Sequence, residues 1–140
     1  MWAYEMPSPP DDEAKDMSHE QLRFYGTSKA YQARWDKVQN ERTILYTDLL
    51  EAEALWGSEL KNLFKVVFDL EHELFTSIRH YIELLNPDAD EASKDAIRDI
   101  DNKRRDIMYD DLSEEGDEYK NDFKDGVENI EKYLKPKLTH

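Results

Sequence analysis

The most regular stretch of the chain runs from Trp56 to Leu85. At about 100° per residue, Leu60, Leu63, Phe64, Val67, Phe68, Leu70, Leu74, Phe75, Ile78, Tyr81, Ile82 and Leu85 fall on one side of a helix. The apolar arc is about 160° wide, broader than the seam of a two-stranded coil, so this helix requires two neighbours. Asn86-Pro87 ends it, because a residue before proline is pushed out of helical geometry.

Upstream, Tyr31, Trp35, Val38, Leu45, Leu49, Ala52 and Trp56 recur at steps of three and four. Ser18 and Gln21 have capping-box spacing and predict a helix start, with a falter at Gly26 and a new start at Thr27 or Ser28. Downstream, Ala92, Ala96, Ile97, Ile100, Ile107 and Met108 mark another helix. Tyr119, Phe123, Val127, Ile130 and Leu134 mark a last one, ended by Pro136. The last two stripes differ by about 120° in phase, which predicts a break near Ser113–Gly116.

Gly57-Ser58 divides the reading. A glycine followed by a capping residue can close one helix and open the next, giving a tight hairpin. The stripes on either side agree in phase within about 20°, which favours one unbroken helix from Ser28 to Leu85. Two charges sit inside the apolar stripes, Arg42 and Glu71. A carboxylate buried there requires a cation or a proton. The tight hairpin brings Arg42 level with Glu71; the long one brings Arg104 or Arg105. In the long-helix case Phe64, Phe68 and Phe75 stay uncovered and form an oligomer seam.

The fold class is therefore all-α: a long-helix antiparallel hairpin or a three-helix bundle with coiled-coil-like packing. Residues 1–17 read as an irregular arm rich in proline and acid, and 18–140 as a single helical domain. Trp2, Tyr4 and Met6 are large apolar residues in that arm, suited to docking on the body or a partner, or to a membrane-proximal segment.

Charge narrows the function classes. There are 33 acidic and 19 basic residues among 140, a net charge of -14, which argues against direct binding of nucleic acid or an anionic membrane. Residues 106–131 hold eleven acids and two lysines. Within them Asp110, Asp111, Glu114, Glu115, Asp117 and Glu118 form a candidate docking surface for a basic protein, in its extreme form a mimic of DNA. The chain has no cysteine, hence no disulfide framework or thiolate chemistry. Its apolar runs are too short to span a membrane, and no signal peptide is evident; a cytoplasmic location is expected.

Catalytic signals are weak. His72 and His80 differ by about 80° around a helix and make a poor chelating pair. Glu115/Glu118, Asp122/Asp125 and Glu128/Glu131 have the i,i+3 spacing of magnesium-binding carboxylates, but crowd onto one helix. No serine elbow or phosphate loop is present. No catalytic residue, metal ligand or cofactor is assigned. The expected function is a non-enzymatic interaction or self-assembly module, working as a homodimer, or the soluble part of a larger or membrane-tethered protein. The alternatives are an acidic inhibitor of a basic nucleic-acid-binding protein and a carboxylate metal-dependent hydrolase.

Overall fold

A computed structural model describes residues 7–107 and 114–138, with side chains of the last segment described from residue 118. It is an all-α bundle, with five helices and no strand among the described residues. They are α1 (Asp11–Ala14), α2 (His19–Trp56), α3 (Glu59–Leu85), α4 (Glu91–Asn102) and α5 (Glu114–Leu138).

Local chemistry accounts for most of the ends. α2 begins with a reciprocal capping box. The Gln21 N–H donates to Ser18 Oγ at 3.1 Å, and the Ser18 N–H donates to Gln21 Oε1 at 2.9 Å. α4 begins at Asp90, whose Oδ1 accepts from the Ser93 N–H at 2.6 Å. That bond, made to the ionised carboxylate, holds the Asp90 pKa below its ordinary value. α3 stops at Leu85, ahead of Pro87.

Four expectations are corrected. The arm is not wholly irregular: Asp11–Ala14 forms one helical turn behind Pro10, and its three acids favour the positive end of the turn dipole. Gly26 does not interrupt α2; Gly26, Thr27 and Ala30 are buried, and packing of that face outweighs the roughly 1 kcal/mol helix penalty of one glycine. The fourth helix does not reach Ile107 or Met108. It closes at Asn102, where the Lys103 N–H turns back to Ile100 O at 3.1 Å; Met108 lies outside the described residues. Pro136 does not end α5, which runs to Leu138 with Lys135 and Lys137 in its last turn.

The largest correction is at Gly57. The helix is not continuous from Ser28 to Leu85. Gly57 has φ of +85°, its N–H donates to Glu53 O at 2.9 Å, and the Asn62 N–H reaches Ser58 O at 3.0 Å to open α3. A left-handed residue cannot sit inside a right-handed helix, so the chain reverses here. Phase agreement between the stripes misled because two adjacent helices in a hairpin can share a phase by chance.

The chain forms two compact units. The first joins Met1–Glu41 with Ile78–Arg104. Its buried residues include Thr27 and Ala30 on α2, Tyr31 meets Tyr81 edge-on at 6.5 Å between ring centres, and His80 Nδ1 lies 2.6 Å from Asp101 Oδ1. The second joins Arg42–Ser77 with Arg105–His140. Its core is built by three helices, from Leu49 and Ala52 on α2, Leu60 and Val67 on α3 and Ile130 on α5. Phe64, Phe68, Phe123 and Val127 pack against it. Gly126 permits the approach of α5 to α3: a Cβ there would lie 3.1 Å from Val67 Cγ2. No described helix is long and apolar enough to cross a membrane.

Candidate functional site

The polar side chains of the second unit gather in two places. In the first, Arg42 Nη2 donates to Glu71 Oε2 at 2.7 Å, with both side chains mostly covered. The guanidinium also lies 4.5 Å from the centre of the Phe68 ring. The two residues sit almost the same number of positions from Gly57, so the reversal at that glycine is what makes them neighbours.

The second is a knot around Arg105, in the segment after α4. Its guanidinium grips Glu73 with two bonds, Nε to Oε1 at 2.6 Å and Nη2 to Oε2 at 2.9 Å. Nη1 donates to Asp122 at 2.8 Å and to Glu118 at 3.3 Å, and the group lies over the Tyr119 ring. Bonding to Glu73 raises the Arg105 pKa above its ordinary value, against the opposing effect of burial. The Tyr119 hydroxyl donates to Leu70 O at 2.8 Å. Burial pushes that phenol up to about 12, and the Glu73 and Glu71 carboxylates add to the rise.

These contacts place the sequence candidates. Glu71 meets Arg42, and Arg105 holds Glu73. Arg104 belongs to the first compact unit and Glu71 to the second. The count that paired them assumed a fourth helix running past residue 104, whereas α4 closes at Asn102. Of the acidic docking candidates, Asp110 and Asp111 lie outside the described residues. Glu114, Glu115 and Asp117 fall within α5, and Glu118 faces Arg105. Phe64 and Phe68 are half-buried against their own chain's core, and Phe75 is also half-buried. The hairpin supplies α2 as the partner that an unbroken helix would have lacked.

Two features had no sequence signal. One is a shallow groove of about 420 Å³ between α3 and α5, lined by Val66, Asp69, Leu70, Glu73, Asp122, Asp125, Gly126 and Asn129. Carboxylates read separately on two helices become one acidic wall only when α5 docks. The other is the His80–Asp101 pair, whose partners lie 21 positions apart. Among the described residues no group of three or more His, Asp or Glu is placed to hold a metal ion.

Apolar side chains left outside are concentrated on one helix. Within the second unit α2 presents Ile44, Tyr46, Leu50 and Leu55 to solvent, at 62%, 49%, 65% and 75% exposure. Around the helix they form two ridges. Ile44 and Leu55 share one flank, while Tyr46 and Leu50, four positions apart, share the other. The Tyr46 ring touches Phe68 at 5.3 Å, so the second ridge continues onto α3. No protein-family model, curated protein or solved structure matches this chain.

Proposed function

We propose that this protein is a non-enzymatic helical association module that acts as a homodimer. The observation that carries the reading is the apolar surface of α2, on which Ile44, Leu50 and Leu55 are each more than half exposed in an otherwise strongly acidic chain. Burying such side chains is favourable by about 25 cal/mol per Å² of apolar surface. Light scattering over a concentration series tests the reading. A mass of twice the 16.7 kDa chain is expected at micromolar concentration; a mass of one chain throughout would refute it.

A second reading, docking of a basic protein, is favoured by the groove that Asp69, Glu73, Asp122 and Asp125 line, where Arg105 already holds Glu73 and Asp122 and Lys65 pairs with Asp69. It predicts a complex weakened by salt and by neutralising Asp122 and Asp125.

A further inference from the structure

We infer that the Ile44–Leu55 flank of α2 is a docking surface for a basic amphipathic helix of a partner protein. The inference goes beyond the homodimer reading, which the flank bearing Tyr46 and Leu50 can carry without it.

Helical phase defines the surface. Ile44, Asp48, Glu51 and Leu55 follow one another in α2 at steps of four, three and four, and fall within about 60° around the helix. They make a straight ridge about 16 Å long, apolar at both ends and acidic between them. Thr47 and Ala54 lie beside it and are small enough to let another helix approach closely. All six side chains are exposed. Neither α3 nor the core covers the ridge. Arg42, Tyr46 and Glu53, which meet Glu71, Phe68 and Lys61 of α3, point about 150–170° away from it. Leu49 and Ala52, which face the core, point about 70–130° away.

Charge decides the occupant. From Thr43 to Leu60 the chain has four acids and no lysine or arginine. Among the described residues neither Asp48 nor Glu51 has a hydrogen bond or an ion pair. The bases at the ends of this span are engaged elsewhere: Arg42 with Glu71, Lys61 with Glu53, and Lys137 over the Trp56 and Tyr133 rings. Lys37, seven positions before Ile44 on the same flank, bounds the surface at that end. A partner that buries both Ile44 and Leu55 passes over the two carboxylates between them. Lysine or arginine at those points pairs with them, whereas an apolar or acidic side chain would leave them desolvated and unmatched. The same ridge of a second copy would set acid against acid. The complement is therefore a helix with apolar residues at i and i+11 and bases at i+4 and i+7, laid along α2.

The test uses the full chain and two alanine-based helical peptides. One carries leucines at i and i+11 and lysines at i+4 and i+7; the other has glutamates in place of the lysines. Fluorescence anisotropy is expected to show saturable binding of the lysine peptide alone. Asp48→Asn with Glu51→Gln, and separately Ile44→Ala with Leu55→Ala, are each expected to raise its Kd at least about tenfold. Asp69→Asn with Asp125→Asn removes the same charge from the α3–α5 groove and is expected to stay within about threefold of wild type. Helical circular dichroism confirms that each variant is folded. The assignment is overturned if the lysine peptide does not bind, if the glutamate peptide binds as well, or if the groove variant loses as much as the ridge variants. Loss of self-association in Ile44→Ala with Leu55→Ala, at unchanged peptide affinity, would make the ridge a contact between copies instead. A monomeric wild type that binds the lysine peptide on the ridge sinks the homodimer and leaves this docking surface standing.

Discussion

Gly26 and Gly57 are the same residue with opposite outcomes. Gly26 is a buried helical position, and Gly57 turns the chain with φ of +85°. Nothing lies within 4 Å of a Cβ at Gly57, so a side chain there meets only backbone strain. Gly57→Ala is expected to cost about 1 kcal/mol in urea denaturation, and Gly57→Asn less, because asparagine tolerates the left-handed region. Tyr119 gives a second prediction. Its phenol ionises at about 12 in the folded chain and at the ordinary value of 10.0 once unfolded. Above the lower value only the unfolded chain has released the proton, so rising pH favours unfolding. The stabilisation is therefore complete below about pH 10 and falls between about pH 10 and 12. Urea midpoints across that window should drop less steeply in Tyr119→Phe than in wild type. At this scale the sequence was legible where a motif has fixed spacing, as with Ser18 and Gln21. It was silent on the sign of φ at a glycine, which depends on what packs around the turn.

Between elements, Arg42 ties α2 to α3, and Arg105 ties α3 to α5. Glu71 could be read as needing a cation because it interrupts an apolar stripe. From sequence, Arg105 is only a cation that a long hairpin would bring to Glu71, whereas it holds Glu73, two positions on. Its partners Glu118 and Asp122 looked like members of a solvated acidic face, and Glu73 carried no signal. Arg105→Ala is expected to destabilise the protein by about 2 kcal/mol, because it removes both charge-assisted bonds to the mostly covered Glu73. A double-mutant cycle with Glu73→Ala should return a coupling of about 1–2 kcal/mol. The Lys65–Asp69 pair, with both side chains well exposed, is the control, and its coupling should stay below about 0.5 kcal/mol. Equal coupling in the two cycles would mean that the Arg105 knot is as solvated as an ordinary surface pair. The all-α class followed from periodicity; the hairpin and the end of α4 did not, because they depend on single residues at which helix and turn differ by about 1 kcal/mol.

For the whole molecule, the net charge of -14 makes ionic strength a diagnostic. Two copies of this chain repel each other at long range. A homodimer must overcome that repulsion with apolar burial, and salt weakens only the repulsion. Raising salt from about 0.02 to 0.5 M shortens the Debye length from roughly 20 to 4 Å, so the dimer should tighten. A complex between the α3–α5 groove and a basic protein has the opposite sign, because there salt screens attraction. Light scattering at the two ionic strengths therefore separates the readings in one experiment. A dimer fraction that grows with salt supports an apolar interface between copies. A dimer that dissociates with salt would mean that copies are held by charge. The contact would then be sought between unlike surfaces, which need not close at two chains.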